Sequence, residues 1–440
     1  AVALTLGSVS ASAVDFHGYA RAGLNYASGG GSTYCLNKSL VGRLGNECDT
    51  YIELGLSQEL YNKANNKFTV HSLLAFDTKI KDPNDIDFGY GDNTVDRQGN
   101  NWQDNRPGQV GSWGGFRSAI EELYADYEMP SGITLWAGKR FYRRKDVHIL
   151  DYYYLHNSGT GFGIDSIPVS NLGTASVALL KSTTSFGYTD DAGNWVHPVG
   201  VHENVNNYKL DLRWNDIPLW SDASLDAVLI YGWQNLSGLQ KQHGAHTNNS
   251  VLALLEWTQG GLLGGFNKLS FTFANNGFDS VGVGGQAADS GAMLAPYSTR
   301  GKAYRIIDWG LLEQAKWNLG YVLMLSHIHF DSKDGNKFWG KGWTGGAERN
   351  SNTWTFALRP SYKWSDFTST VLEYGYSSIP SGNTGRDSAS KLTIAQQWSP
   401  NTTFWSRPSI RVFATWLSGD LMDHNNTGFF KKNHEFIYGA

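Results

Sequence analysis

The sequence predicts an all-β fold, and three observations support this prediction. The chain of 440 residues holds 51 Gly, 17 Trp, 22 Tyr and 21 Phe but only 4 Met, and this composition is typical of strands joined by turns. Several segments alternate apolar and polar residues with the two-residue period of a strand. Between them lie polar stretches rich in Gly, Asn and Asp that are too long for hairpin turns.

The chain opens with thirteen mostly small or apolar residues, 1–13, that end in Ala11, Ser12 and Ala13. An A-x-A ending directly before a strand-like run is typical of a secretory signal peptide, and the alternative is a disordered N-terminus rich in small residues. We therefore expect export of the protein, with residues 14–440 forming one β domain. Because the basic start of a signal peptide is missing, we also expect the sequence to be truncated at this end.

Export determines how the two cysteines are interpreted. Cys35 and Cys48 are the only cysteines of the chain, and an oxidising compartment favours a disulfide between them. A metal site would need further ligands at suitable spacing, and Cys35 has no nearby His. We predict a disulfide and no metal site.

Four segments show the strand alternation most clearly: 51–57, 208–214, 268–273 and 410–416. In the second, Lys209, Asp211 and Arg213 alternate with apolar residues, and Tyr208 and Trp214 end the apolar stripe. A soluble β-sandwich alternates in the same way. Charges in mid-strand that face water, with aromatics at both ends of the apolar stripe, are more typical of a transmembrane β-barrel. No apolar run is long enough for a transmembrane helix.

Several classes of function lack support in the sequence. A formal charge of −4 argues against a nucleic-acid partner, which requires a basic face. GNKFWGK resembles a phosphate-binding loop but continues with Gly342 where Ser or Thr should hold magnesium. The acidic segment 82–92 lacks the closing glutamate of a calcium loop, and HENVN at His202 is not a zinc motif. No cofactor is expected.

Carbohydrate chemistry has better support. Aromatic rings stack on the C–H faces of a sugar while Arg, Asp and Glu bond its hydroxyls, and Tyr51 and Glu53 face the same side of one predicted strand. Two carboxylate pairs, Glu121 with Glu122 and Asp146 with Asp151, leave a glycosidase open as an alternative. The segment 140–163 follows neither the strand nor the helix period, so we predict that it is selected for something other than core packing.

Six blocks strongly resemble the maltoporins, which are trimeric, eighteen-stranded sugar channels of the bacterial outer membrane. The blocks are VDFHGYARAG (14–23), GRLGNECDTYIEL (42–54), WAGKRFYRRKDVHILDYYY (136–154), GGFNK (264–268), RPSYKWSDFTSTVLEYGY (359–376) and LTIAQQW with WSRPSIRVFAT (392–415). The resemblance implies an all-β transmembrane barrel with long extracellular loops, of which the third, within 140–163, folds into the lumen. Porins for sucrose and aryl-glucosides share this fold, but the block 136–154 is more similar to maltoporins.

The family lines its lumen with six aromatics, the greasy slide. The resemblance assigns four of them to Tyr19, Tyr51, Phe266 and Trp364. It leaves Trp102 and Trp113 as two alternatives for a fifth, which reaches into the neighbouring subunit. The sixth lies beyond FIYGA, residues 436–440, so truncation is also expected at this end. The alternative for the four assigned rings is a girdle or a lipid-facing position.

The resemblance further implies a constriction at Tyr153, a polar track and the first-loop disulfide between Cys35 and Cys48. The polar track consists of Arg21, Arg43, Glu53, Arg117, Arg144, Asp146, His148 and Asp151. The match of Arg117 is weaker because the spacing to the next block differs by one residue. His148 has the alternative role of a loop hydrogen-bond donor. Lys145 stands where the family more often has an uncharged residue or His, which predicts a more basic constriction.

The function implied is facilitated diffusion of maltose and maltodextrins, with no enzymatic activity. The implied partners are these sugars, outer-membrane lipid and lipopolysaccharide, two further copies in a homotrimer, a periplasmic sugar-binding protein and phage. Two alternatives stay open: a porin for another oligosaccharide, and a secreted β-rich carbohydrate-binding protein or glycosidase.

Overall fold

The computed structural model describes residues 14–30, 35–47, 50–77, 117–189, 195–196, 198, 200, 204–243, 245, 249–278, 301–329, 350–381, 385–419 and 434–440. Nineteen strands belong to one antiparallel sheet, and two short strands, β9 and β10, pair separately. The predicted all-β, antiparallel fold is confirmed. Within the described ranges, no helix has the length and hydropathy of a membrane span.

The strands are β1 Asp15–Arg21, β2 Asn25–Ala27, β3 Tyr51–Lys63, β4 Asn66–Asp77, β5 Arg117–Glu128, β6 Thr134–Val147, β7 Tyr152–Pro168, β8 Thr174–Ser185, β9 Tyr188–Thr189, β10 Trp195–Val196, β11 Asn204–Pro218, β12 Ala223–Asn235, β13 Ser250–Leu262, β14 Gly265–Asn275, β15 Lys302–Glu313, β16 Trp317–His329, β17 Asn350–Lys363, β18 Thr368–Ser381, β19 Gly385–Trp398, β20 Ile410–Ser418 and β21 His434–Gly439. The helices are α1 Lys38–Val41, a 3₁₀ turn His148–Leu150 and α2 Gly238–Gln242.

Within the described ranges the sheet has nineteen strands, one more than the eighteen that the resemblance implies. Two of these strands, β1 and β2, are short and are separated by only residues 22–24. β1 pairs with β3, and β2 pairs with β21. Counted as one interrupted strand, β1 and β2 would give the described sheet eighteen strands.

The chain divides into two compact units. The first comprises Ala1–Gly23, Asp49–Phe141 and Thr160–Ile167, and the second comprises Leu24–Cys48, Tyr142–Gly159 and Pro168–Ala440. In the first unit, β1, β3, β4, β5 and the start of β6 pair in that order. In the second unit, consecutive pairing runs from β8 through β11 to β21 and ends on β2.

Local sequence determines the turns and helix ends. The β3–β4 turn consists of Ala64 and Asn65 with φ angles of 52° and 60°, and two successive left-handed residues are typical of a type I′ hairpin turn. Helix α2 begins with a capping box in which the Ser237 side chain accepts from Gln240 N and the Gln240 side chain accepts from Ser237 N. Such reciprocal bonds satisfy two backbone donors that a helix start leaves unpaired.

Strand alternation in the second unit is inverted relative to a soluble protein. On β11, Lys209 and Asp211 are fully buried, while Leu212 and Trp214 are 37% and 38% exposed. A soluble sheet hides its apolar face and exposes its polar face. An exposed apolar face and a buried charged face are the pattern of a sheet that contacts lipid.

The buried charges are covered by the segment Tyr142–Gly159, which packs on the polar face of the sheet. Lys209 Nζ donates to Ser158 O at 3.2 Å, Asn157 Nδ2 donates to Asp211 Oδ2 at 2.7 Å, and Arg213 Nη1 donates to Arg143 O at 2.7 Å. The prediction that the β11 charges face water is therefore wrong. They are buried and hydrogen-bonded, which offsets the cost of desolvating them.

A second covering segment, Leu36–Glu47, includes α1 and packs on β18 and β19. Leu44 N donates to Glu373 Oε1 at 2.9 Å, and Lys391 Nζ donates to Leu44 O at 2.5 Å. A Cβ atom added at Gly375 would lie 2.1 Å from Val41 O. The close approach of this segment to β18 therefore requires glycine at position 375.

The segment 140–163 is more regular than its sequence suggests. Strand β6 continues to Val147, the 3₁₀ turn follows, and β7 begins at Tyr152. Val147, Tyr152 and Tyr154 are all buried, and Arg305 Nη1 donates to Tyr152 Oη at 2.5 Å. Val147, Tyr152 and Tyr154 belong to a buried hydrophobic cluster, so the prediction that this segment is selected for something other than core packing is wrong for these residues. Because many side chains of the segment are buried, the alternation that identifies a half-exposed strand is lost.

Candidate functional site

Four of the predicted sugar-binding residues meet in the first unit. Strand pairing places Tyr19 opposite Glu53 and Arg21 opposite Tyr51. The ring centroids of Tyr19 and Tyr51 are 6.2 Å apart, and Arg21 Cζ lies 5.0 Å from the Tyr51 ring centroid. Tyr51 Oη donates to Glu53 Oε1 at 2.6 Å. We call Tyr19, Arg21, Tyr51 and Glu53 the strand cluster.

The strand cluster combines two kinds of group suited to a sugar. The two half-buried tyrosine rings supply apolar faces on which a sugar ring stacks. Arg21 supplies donors, and the Glu53 carboxylate, anchored by the Tyr51 hydroxyl, supplies acceptors for hydroxyl groups. The pairing of β1 with β3 brings these groups together from positions about thirty residues apart.

Three other predicted residues meet in the second unit, beside the β6–β7 turn. Arg144 Cζ lies 4.5 Å from the Tyr153 ring centroid, a distance at which a cation attracts the face of an aromatic ring. Asp146 lies within electrostatic reach of Arg144 and Asp151 and has no hydrogen-bond partner in the part of the chain that the structure describes. We call Arg144, Asp146 and Tyr153 the turn cluster.

Arg43 and Asp151, both assigned to the polar track, lie in an ion-pair network with residues of the α1 segment. Arg43 Nη2 is 2.7 Å from Glu47 Oε1, and Arg43 Nη1 is 3.5 Å from Asp151 Oδ1. Lys38 Nζ donates to Asp151 Oδ2 at 2.9 Å. The carboxylate of Asp151 therefore serves first to tie the β6–β7 turn to the α1 segment.

His148 begins the 3₁₀ turn and lies among aromatic and basic side chains. Its ring centroid is 4.9 Å from that of Trp405 and 6.1 Å from that of Phe404. Arg407 Nη2 lies 3.4 Å from His148 Nε2. Burial, and then the nearby positive charges of Arg43, Arg359 and Arg407, lowers the pKa of His148 to about 2, against the opposing effect of Asp151. The imidazole is therefore neutral at physiological pH.

Phe266 and Trp364, the remaining predicted slide aromatics, lie in different surroundings. Phe266 packs edge-on against Trp309 at 5.1 Å, next to the buried core of the second unit. Trp364 lies in the β17–β18 turn, is 62% exposed and contacts the exposed Tyr362 ring at 4.6 Å. Its surroundings match the rim girdle that the sequence analysis named as the alternative.

Lys145 does not make the turn cluster more basic, contrary to the prediction. Its Nζ lies 2.5 Å from Asp226 Oδ2 and 2.7 Å from Glu256 Oε1. Tyr154 Oη also donates to Glu256. Two carboxylates therefore neutralise Lys145.

Several predictions fall outside the described residues. They concern Cys48, Trp102, Trp113 and the side chain of Arg117, as well as the acidic segment 82–92 and the GNKFWGK loop. The pairing of Cys35 with Cys48 thus stays a prediction. Within the described ranges, no group of three or more His, Cys, Asp or Glu side chains is arranged to hold a metal ion.

Sequence reasoning missed three aromatic side chains near these clusters: Trp309, Phe404 and Trp405. Trp309 lies on the same face of β15 as the buried Arg305. Their even spacing along the strand could have indicated that the Trp309 ring also points to the polar, buried face. Phe404 and Trp405 lie in the β19–β20 connection, where no strand period indicates the side to which a ring points. Their contact with His148 depends on tertiary packing.

The family model of the LamB porins matches residues 14–440. The chain belongs to the LamB porin family. As a LamB porin it is an outer-membrane porin, and the resemblance found in the sequence is confirmed.

Solved structures similar to this LamB porin include two porins from Pseudomonas aeruginosa and one from Acinetobacter baumannii. OpdK of Pseudomonas aeruginosa, crystallised with vanillate, is 9% identical with a TM-score of 0.40, and the match covers 91% of this chain and 94% of that chain. OpdQ of the same organism is 9% identical with a TM-score of 0.41, covering 89% and 92%. OccAB4 of Acinetobacter baumannii is 10% identical with a TM-score of 0.43, covering 89% of each chain.

Proposed function

We propose that this LamB porin is a passive channel for maltose and maltodextrins. The observation that carries the proposal is the strand cluster, in which two tyrosine rings lie beside the Glu53 carboxylate and the Arg21 guanidinium. A glucose unit offers two C–H faces and a rim of hydroxyls. The strand cluster supplies partners for both, because its rings stack on the faces and its charges bond the rim.

The turn cluster supplies the same chemistry at the proposed constriction. Tyr153 offers a ring face, the adjacent Arg144 offers donors, and Asp146 offers acceptor oxygens that are not used by hydrogen bonds within the described chain. A channel conducts a substrate when each contact is favourable enough to admit it and weak enough to release it. Short-range contacts with single glucose units, repeated along a maltodextrin, meet this requirement.

Phe266, with its edge-on neighbour Trp309, is proposed as a further stacking position. Trp364 is proposed for the same slide on the resemblance alone, since its exposed surroundings favour the girdle alternative. The remaining proposals also rest on the resemblance: removal of the signal peptide, the disulfide between Cys35 and Cys48, a homotrimer surrounded by lipid and lipopolysaccharide, and contacts with a periplasmic sugar-binding protein and phage.

Liposome swelling tests the proposal with two sugars of equal size. Proteoliposomes loaded with an impermeant polymer are placed in isotonic maltose or isotonic sucrose, and the swelling rate reports sugar entry. We expect faster swelling in maltose. Faster swelling in sucrose would instead support a channel for another oligosaccharide. If the proteoliposomes swell in neither maltose nor sucrose, the proposal of a sugar channel is contradicted.

A further inference from the structure

One arginine of the second unit, Arg411, bonds a neutral amide, and the described part of the chain offers it no carboxylate partner. Arg411 lies on β20 on the same face as the buried Thr415 and Leu417. Its Nε donates to the neutral Gln397 Oε1 at 2.7 Å. Among the residues that the structure describes, no Asp or Glu lies within ion-pair distance of Arg411. A half-buried guanidinium whose bond within the described ranges is to a neutral amide is an unusual arrangement, because buried charges are ordinarily paired.

The charges around Arg411 are mostly of its own sign. It lies within electrostatic reach of Arg359, Arg407 and Arg43, and of one carboxylate, Glu47. Glu47 is already paired with Arg43 at 2.7 Å. Glu373, which lies 2.5 Å from an Arg359 nitrogen, also binds Lys391 at 2.5 Å. These two carboxylates are therefore engaged by other cations, and three of the four charged groups named above are positive, as Arg411 is.

An aromatic surface adjoins this basic region. Trp405 is 47% exposed, and its ring lies 4.9 Å from the neutral His148 ring. Arg407, two residues further along the chain, donates to Ser406 O at 2.7 Å and lies 3.4 Å from His148 Nε2. The exposed indole offers a sugar-stacking face within the same short segment as the exposed guanidinium of Arg407.

We infer that Trp405, Arg407 and Arg411 form a subsite for sugars that carry a phosphate or carboxylate group. The indole stacks on the sugar ring, and the guanidinium groups bind the anionic group, whose planar or tetrahedral oxygens match the donor fork of arginine. Binding of the anion offsets the mutual repulsion of the arginines. This inference rests on the proposed sugar channel and extends its substrates from neutral to anionic oligosaccharides.

The test compares block of ion current through single reconstituted channels by maltose, by maltose 1-phosphate and by inorganic phosphate. The electrolyte is held near 0.1 M, because higher salt screens the interaction. In the wild type, we expect maltose 1-phosphate to block at a concentration about tenfold lower than maltose, as a charge-assisted contact predicts. In Arg411→Gln and Arg407→Gln, this preference should fall below about twofold.

Arg386→Gln is the matched control, since it also removes one positive charge, from a side chain that bonds Ser378 and Asn352 O. This variant should keep the preference for maltose 1-phosphate over maltose. Equal block of the wild type by maltose and maltose 1-phosphate overturns the inference without the need for any variant. Block by inorganic phosphate as strong as by maltose 1-phosphate overturns its sugar component. If neither maltose nor a longer maltodextrin blocks the channel, the proposed function itself fails, which is a distinguishable result.

Discussion

The guanidinium carbon of Arg144 lies 4.5 Å from the centre of the Tyr153 ring. Arg144 belongs to β6 and Tyr153 to β7, and the 3₁₀ turn between these strands brings the two side chains together. The contact fixes the ring and the charge relative to each other, since each restricts the rotamers of its neighbour. A rigid ring beside a charged group is the arrangement expected of a constriction that both narrows a passage and binds what passes.

Removal of the Tyr153 ring should widen the channel. We expect Tyr153→Ala to raise single-channel conductance by a factor on the order of two, because the narrowest section dominates the resistance of a pore. The control is Tyr374→Ala, which removes a ring from the exposed face of β18 and should leave conductance unchanged. An unaltered conductance in Tyr153→Ala would exclude Tyr153 from the constriction.

The hydroxyl of Tyr51 should matter for sugar binding through Glu53. Tyr51→Phe keeps the ring but removes the 2.6 Å hydrogen bond to Glu53 Oε1. If the loss of this hydrogen bond weakens the binding of maltohexaose by about 1 kcal/mol, the half-blocking concentration of maltohexaose rises roughly fivefold. Tyr61→Phe, on the same strand but in ring contact with Phe68, is the control. If both variants bind maltohexaose like the wild type, the strand cluster does not hold the sugar.

Glu373 should be important for stability because it bonds three partners inside the second unit. Its carboxylate binds Arg359, Lys391 and the Leu44 N–H. Glu373→Gln leaves two buried cations without their counter-charge, and breaking a buried pair in this way costs about 3–5 kcal/mol.

The control for Glu373 is Glu128→Gln. Glu128 pairs with Lys67, and the two side chains are 43% and 37% exposed, so the expected cost is at most about 1 kcal/mol. Thermal unfolding in detergent compares the two variants. Equal melting temperatures for both would contradict the role assigned to Glu373 in holding the Leu36–Glu47 segment.

His148 should make the protein less stable in acid. Its pKa in the folded protein is about 2, whereas an ordinary histidine has a pKa near 6.5. The unfolded chain therefore takes up a proton at His148 below pH about 6.5 that the folded protein does not hold, so stability falls as the pH decreases from there. Between pH 8 and pH 5, the melting temperature of wild type should fall more than that of His148→Gln. A smaller fall in the melting temperature of wild type would contradict the conclusion that the His148 imidazole is neutral in the folded protein.

Much of the fold follows from local pattern. The alternation across residues 208–214 correctly predicts a strand with Leu212 and Trp214 on its exposed face. Pairing of β1 with β3 brings Tyr19, Arg21, Tyr51 and Glu53 together, and their role in binding sugar stays a prediction. Parity within one strand is enough to predict that Tyr51 and Glu53 share a face, because neighbouring side chains on a strand point to opposite faces.

Other features depend on packing between distant segments and leave no local signal. Lys209 is buried because residues 142–159 cover it, and nothing in the alternation of β11 reveals that cover. Lys145 is neutralised by Asp226 and Glu256, which lie on strands far along the chain. Arg411 has the parity of a polar-face residue, but only the tertiary arrangement shows the like charges around it.

The central claim, a channel selective for maltodextrins, is tested most directly by sugar block of ion current through single channels in a planar bilayer. Under the proposal, a long maltodextrin is expected to stack on more aromatic rings than sucrose does. We predict that maltohexaose closes the channel at a concentration at least about a hundredfold below that needed for sucrose, which corresponds to roughly 2.7 kcal/mol. Equal block by maltohexaose and sucrose would contradict the account.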